Sequence, residues 1–219
     1  MKVGIIGAGN IGGNLTRRLT ALGHEVSVAN SRNPDTLSEL ATETGAIAVL
    51  ASEVAAGADV VVVTIPMKAV PDLPSGLLNG AADDVVVIDT CNYYPQQRDG
   101  RITDIEDGMT ESRWVEKQLG VSVVKAFNGI YAEHLLTRGV PAGTDGRIAL
   151  PVAGDDADAK AVAMEFVDSL GFDPVDDGGL DDSWRQQPGT PVYGADLDAD
   201  GVRKALATAS PVRGQDWSA

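Results

Sequence analysis

Six residues near the start of the chain, Gly7-Ala8-Gly9-Asn10-Ile11-Gly12, restrict its fold more than any other feature. They have the form G-x-G-x-x-G, and their surroundings give the string its meaning. The β-rich run Lys2 to Ile6 leads in, and Asn10 to Leu22 leads out with Ile11, Leu15, Leu19 and Leu22 spaced for one helical face. In a strand–turn–helix unit the first glycine permits the tight turn. The second lets the backbone approach a diphosphate with no Cβ in the way, and the third lets the helix lie close to the strand. The helix N-terminus then faces the anion. The expectation is a dinucleotide site formed by Gly7, Gly9, Asn10, Ile11 and Gly12.

The rhythm set by this unit continues. Glu25 to Asn30 reads as a second strand, Asp35 to Thr44 as a helix ended by Gly45, and Ala46 to Leu50 as a third strand. Ser52 to Gly57 reads as a short helix with Ser52 at its N-cap. Asp59 to Ile65 is an almost unbroken β-branched run, as expected of a strand buried on both faces of a parallel sheet. Val85 to Asp89 and Val121 to Phe127 read as strands five and six, with a polar surface loop expected over Tyr93 to Gly108. Ile130 to Thr137 and Ala157 to Leu170 read as helices, Val152 to Gly154 and Phe172 to Val175 as short strands. Pro188 to Pro191 must be loop, because neither proline suits a helix interior or a central strand. The predicted class is α/β, a doubly wound, mostly parallel sheet of the Rossmann kind with a small C-terminal lobe. Residues 1–128 form the expected nucleotide-binding unit and 129–219 the lobe packed on it.

The end of strand two separates NAD from NADP. An NAD site places a carboxylate there for the ribose 2′-hydroxyl. Here the chain reads Asn30-Ser31-Arg32-Asn33, with no acid before Asp35. Ser31 can donate a hydrogen bond and Arg32 a charge-assisted fork to a 2′-phosphate that a carboxylate would repel. NADP(H) is therefore the expected cofactor.

Ligands of open α/β sheets bind beyond the carboxyl ends of the strands. That directs attention to Thr64-Ile65-Pro66 after strand four, Asp89-Thr90-Cys91-Asn92 after strand five, and Ala126-Phe127-Asn128 after strand six. Pro66 either ends its strand or, with Ile65, walls a nicotinamide ring. Asn128 either caps the following helix or bonds a carboxamide. Asn128 and His134 are the candidate catalytic side chains, His134 lying on a helix that can turn it either way. His24 falls at the opposite end of the sheet, and Lys125 reads equally as a buried ion pair. Cys91, with no histidine nearby in sequence, reads as packing. Neither a nucleophile triad nor a metal-ligand constellation is readable, which suits chemistry performed by a cofactor that the protein aligns.

Composition excludes other classes. The 219 residues carry 17 basic and 32 acidic side chains, a net charge of −15, and 23 of the acids are aspartate. A nucleic-acid partner would need basic surface. A single cysteine leaves no internal disulfide. The apolar runs fall short of the ~20 residues a spanning helix needs, and the N-terminus lacks a cleavage-type ending, so a cytoplasmic location without membrane association is expected. The aspartate-rich, lysine-poor surface fits a saline, halophilic cytoplasm, where concentrated salt screens self-repulsion.

Together, Gly7 to Gly12, Asn30-Ser31-Arg32, Val63-Thr64-Ile65-Pro66, Ile88-Asp89-Thr90 and Val124-Lys125-Ala126-Phe127-Asn128 resemble the NADPH-dependent coenzyme F420 reductases, the F420H2:NADP oxidoreductases. The likeness covers about residues 1–135. It implies a Rossmann domain with a small lobe, often paired as a homodimer, and hydride transfer between nicotinamide C4 and deazaflavin C5. It also implies that Ser31 and Arg32 hold the 2′-phosphate while the exits of strands four and six flank the ring pair. The segment Ser183 to Tyr193 departs from the family pattern, so the small-molecule acceptor is expected to be F420, as co-substrate, or a similar flat ring. The alternatives are NADPH reduction of a small carbonyl or imine, and a non-enzymatic NADP-binding module. An F420 tail would need positive charge from Arg98, Arg101, Arg138 or Arg185.

Overall fold

A computed structural model describes every residue, Met1–Ala219. Five parallel crossovers build one sheet from β1 (Lys2–Ile6), β2 (Glu25–Ala29), β3 (Ile47–Ala48), β4 (Val60–Val63), β5 (Val86–Asp89) and β6 (Val124–Lys125), in the order β3-β2-β1-β4-β5-β6. The helices are α1 (Asn10–Ala21), α2 (Ser38–Thr44), α3 (Thr103–Glu106), α4 (Glu111–Leu119), α5 (Ala132–Thr137), α6 (Ala157–Ser169) and α7 (Ala199–Ala207). A second, two-stranded parallel sheet joins β7 (Ala149–Val152) to β8 (Asp173–Asp176) through α6. All four valines of β4 are fully buried, which accounts for the continuous apolar run.

The sheet changes winding direction between β1 and β4, and a crevice opens there beyond the strand ends. One face buries Val3, Ile5, Val28 and Val62 under α1 and α6. The same cluster continues into Leu150, Val152 and Phe172, so the core of the small sheet is continuous with that of the large one. The other face buries Ile6, Val61, Val63 and Val87 against Trp114 and Val115 of α4. An isolated antiparallel bridge, Lys125 to Ala153, stitches β6 to the small sheet.

Several expectations need correction. Ser52 to Gly57 is not a helix but a series of tight turns with bonds from Glu53 N to Leu50 O (2.9 Å) and Ala56 N to Glu53 O (3.1 Å). Its exit is fixed by Gly57 N donating to Gly80 O at 2.6 Å, which draws the chain toward β4 rather than into another helical turn. The second helix begins later than Asp35, because Pro34 to Leu37 first makes a 3-10 turn capped by Asn33. Tyr93 to Gly108 is not a surface loop throughout, since Tyr93 and Ile105 are buried and α3 forms within it. Strand six is only Val124–Lys125, ended by a positive φ of 60° at Phe127. Helices α4 and α7 were not anticipated. No helix is long and apolar enough to cross a membrane.

Candidate functional site

The glycine turn is built by close approach. Gly7 has φ 106°, and a Cβ on it would run into the Thr64 carbonyl and the Ile65 side chain. A Cβ on Gly12 would collide with the Gly7 carbonyl oxygen and stand 2.8 Å from the Thr64 methyl. Both glycines thus let β1, α1 and the β4 exit touch. Gly9 differs: nothing lies within 4 Å of where its Cβ would stand, so its bareness serves no packing inside the protein. That open space lies at the α1 N-terminus, whose first turn carries no acid. An anion placed there meets free backbone N–H groups and the positive helix end.

A groove of about 830 Å³ runs from Ala8, Gly9 and Asn10 past Asn30, Ser31 and Arg32 to Ala132 and Glu133 of α5. Its size suits a cofactor-sized ligand. Asn30 shapes the corner: its Oδ1 accepts from Arg32 N at 2.8 Å and its Nδ2 donates to Thr36 at 2.9 Å. Ser31 and Arg32 are exposed at the groove mouth. Also on the groove surface, Arg17 forks onto Glu43 with two 2.7 Å bonds, which holds the Glu43 carboxyl below its ordinary pKa and partners its charge. The open glycine cradle and the exposed guanidinium fit an NADP molecule. Ser31, Arg32 and the Gly7–Gly12 turn are the groups that would hold it.

At the β4 exit, Thr64 and Ile65 are half-buried and Pro66 is exposed, opening a 3-10 turn over Met67–Asp72. Ala126 is buried, its N–H donating to Asp89 O at 3.2 Å. Phe127 is the only non-glycine residue with positive φ, an arrangement that costs energy and concentrates at functional sites. It turns Asn128 across to the β5 exit. There Asn92 Nδ2 donates to Asn128 O at 2.8 Å, and Asn128 Nδ2 donates to Asn92 Oδ1 at 3.1 Å and Gln186 O at 2.7 Å. Asn128 Oδ1, buried, has no protein partner and is free to accept. His134 lies elsewhere on α5, its Nδ1 2.9 Å from Asp196 Oδ1 and its ring against Tyr131. Like Thr64, Ile65, Pro66, Ala126 and Asn128, it is absent from the groove lining.

Beneath this rim lies an ionic core. The Lys125 ammonium and the Asp89 carboxylate, both fully buried, meet at 3.2 Å. Asp89 also accepts from Ser112 Oγ (2.7 Å) and Cys91 N (2.8 Å), while Lys125 donates to the Cys91 carbonyl. The peptide units around Cys91, just before Asn92, are therefore clamped from both sides. Burial pushes the Cys91 thiol well above its ordinary pKa, leaving it a packing group. Glu111, also fully buried, accepts from Tyr93 N and Arg213, and burial raises its pKa despite those partners. His24, packed near Phe166, is held below the ordinary histidine pKa mainly by burial. Of the cations available for an acidic tail, Arg98 is spent on Asp99 and Arg185 on Asp182, whereas Arg101 and Arg138 are exposed.

Residues overlooked in the sequence complete the rim. Tyr94 and Tyr193 join phenol to phenol, and Trp217 from the C-terminal segment packs on both rings at 5.9 and 6.2 Å between centroids. The tyrosines at the β5 exit and in the 183–193 segment were visible, but not their meeting.

Strand order, the glycine turn at the switch point and the adjoining groove make this a Rossmann protein of the dinucleotide-binding class. Residues 2–93 match the profile of the family described as NADP oxidoreductase, coenzyme F420-dependent, and this match, with the relatives named next, indicates an NADP-dependent oxidoreductase. It is 29% identical over 201 residues to the F420-dependent NADP reductase of Methanothermobacter thermautotrophicus, covering 84% of this chain and 83% of that one. Over 76 residues it is 43% identical to the protein YjhV of Escherichia coli K12, an alignment covering 35% of this chain and 56% of YjhV. Among solved structures, the protein SMa0349 of Sinorhizobium meliloti superposes with a TM-score of 0.75 at 32% identity, over 90% of this chain and 94% of that one. An imine reductase from Pseudomonas, at 17% identity and a TM-score of 0.57 over 94% of this chain and 60% of that one, shares the fold.

Proposed function

We propose that the protein moves hydride between NADPH and coenzyme F420 or a similar flat-ring small molecule. One observation carries the reading: at the end of β2, where an NAD site needs a carboxylate, Ser31 and Arg32 stand exposed at the mouth of a groove that begins at the bare Gly9 cradle. Bound NADPH supplies the hydride. Residues 1–128 hold the cofactor, the Gly7–Gly12 turn taking the diphosphate and Ser31 and Arg32 the 2′-phosphate. Thr64, Ile65 and Pro66 wall one side of the ring and Asn128 the other, with Asn128 Oδ1 as acceptor for a carboxamide, while Ala126, sealed in the core, backs the wall from behind. Residues 129–219 close the acceptor side. The match of residues 2–93 to the F420-dependent family profile and the likeness to the Methanothermobacter reductase support F420 as the acceptor. The Tyr94–Tyr193 phenol pair at the rim favours a second reading, reduction of a small carbonyl or imine, because that chemistry needs a proton donor.

The test is to replace Arg32 with Ala and titrate both pyridine nucleotides. Loss of a charge-assisted bond, about 1.5–3 kcal/mol, should weaken NADPH by roughly 10–100-fold and leave NADH little changed. Equal loss for both would overturn the assignment. Mixing the parent protein with NADPH and oxidised F420 should bleach both chromophores together. Bleaching of NADPH alone with a cyclic imine would favour the second reading, and binding without turnover would point to a nucleotide-binding module. We place the enzyme in a saline cytoplasm, as a homodimer. Activity rising with KCl and a dimer mass by light scattering would support this, and an optimum near zero salt would reject the saline setting.

A further inference from the structure

Tyr94 and Tyr193 are 99 positions apart in sequence, yet their hydroxyls share a hydrogen bond. Each is anchored beside the asparagine pair. Tyr94 follows Asn92 by two residues, and its N–H donates to Asp99 at 2.8 Å. Tyr193 is held by its neighbour Gly194, whose N–H donates to Gly129 O at 2.9 Å, next to Asn128. The pair joins the segment after β5 to the 183–193 segment, beside the bonds between Asn92 and Asn128. The Arg98 guanidinium lies 4.8 Å from the Tyr94 ring centroid and also bonds Asn92 O, its charge paired with Asp99. Trp217 covers both rings. Burial, followed by the bond to Tyr94, pushes the Tyr193 hydroxyl above the ordinary phenol range. The charged groups facing the pair are Arg98, Asp99 and, further in, Glu111.

We propose that Tyr94, backed by Tyr193, is the proton donor to the acceptor. The inference rests on the hydride-transfer reading above and adds to it the group that completes the reduction, since hydride addition alone leaves an anion. As the acceptor carbon gains hydride from the dihydronicotinamide, its π electrons move to a conjugated nitrogen or oxygen. That atom forms a bond to the Tyr94 phenolic proton while the Tyr94 O–H bond breaks. The phenolate takes the Tyr193 proton through their shared hydrogen bond, and Tyr193 is reprotonated from water.

Tyr94→Phe and Tyr193→Phe, singly and together, test this. With oxidised F420 and separately with a cyclic imine, kcat should fall by about 10²–10⁴-fold in Tyr94→Phe. The Kd for NADPH and the circular dichroism spectrum should stay at parental values, and the double variant should be no worse than the worse single. Independently of turnover, the phenolate signal of an alkaline ultraviolet titration should show two coupled phenols beside those of Tyr93 and Tyr131 in the parent, and three phenols with no coupled pair in either variant. A kcat within about threefold of the parent in Tyr94→Phe would overturn the proposal, given the size normally expected of a proton donor. So would an equal loss of NADPH binding and turnover, which marks a structural role, or a titration showing independent phenols. If the parent binds NADPH but reduces neither acceptor, the hydride-transfer reading fails on its own, and the titration still decides whether the phenols are coupled.

Discussion

Replacing Lys125 with Met would expose how much the chain depends on its buried charges. Asp89 and Lys125 sit opposite one another in the β5–β6 register and have no exposed surface. Removing one partner of such a pair leaves the other charge uncompensated, at a cost of about 3–5 kcal/mol. Asp89 keeps its bonds from Ser112 and Cys91 N, which argues for the lower part of that range. Two further losses push the other way: the Cys91 carbonyl loses its donor, and buried Glu111 loses one of the cations that steady its charge. For a chain of this length each kcal/mol lowers Tm by roughly 2–4 °C, so the shift should be about 6–20 °C. Urea unfolding followed by circular dichroism gives the free energy directly. The paired change Asp89→Asn with Lys125→Met should recover part of the loss, because the uncompensated charge is gone while an amide oxygen still accepts from Cys91 N. The reasoning fails if Lys125→Met costs less than about 1 kcal/mol, or if the double variant is merely the sum of the singles.

Two glycine substitutions separate packing from ligand binding. Gly9→Ala adds a methyl to open space and should melt within about 2 °C of the parent, yet bind NADPH at least 10-fold more weakly. Gly12→Ala collides with the Gly7 carbonyl and should unfold early, its melting curve telling the two apart. The Asp177 carboxyl is pushed up to about 7 by burial, with Arg185 at 3.6 Å only partly offsetting this. A raised carboxyl favours the folded state fully below its unfolded value of 3.8, and that contribution is lost as pH rises through 7. Asp177→Asn does not titrate, so its stability relative to the parent should improve between pH 5 and pH 8 by about 1–3 kcal/mol in urea melts. A difference constant across that window would show that Asp177 is not strained by burial.

The nucleotide half of the proposed site could be read from sequence because it is local. Gly7, Gly9, Gly12, Ser31 and Arg32 belong to one β–α–β unit, and each is placed by the geometry of its own turn or strand end. The four buried valines of β4 were equally plain. Helix α4 carried signals that went unread: Thr110 caps it by accepting from Arg113 N, and Gly120 ends it. Its apolar stripe is thin, however, with Glu111, Arg113, Glu116 and Lys117 around Trp114 and Val115. Buried Glu111 defeats the usual pattern altogether, since its face becomes inward only when Arg213 arrives from the other end of the chain.

The proposed acceptor half is of another kind. Asn92, Tyr94, Asn128, Gln186, Tyr193 and Trp217 come from the β5 exit, the β6 exit, the 183–193 segment and the C-terminal segment, and no local rule sets their distances. The positive φ of Phe127 is invisible in a sequence, because phenylalanine has no preference for that region and adopts it only when packing, here against Phe166, over-determines the turn. The asymmetry has a functional consequence. A cofactor grip built within one supersecondary unit is insulated from the rest of the chain, whereas a rim assembled from distant segments shifts with any of them. The Gln96 amide holds the C-terminal segment by donating to Gln215 O and Ser218 O, and Trp217 then rests on the two tyrosines. Substitutions in that segment should therefore move acceptor KM while leaving the Kd for NADPH in place, and a tail variant that weakens both equally would show that the two halves are mechanically one.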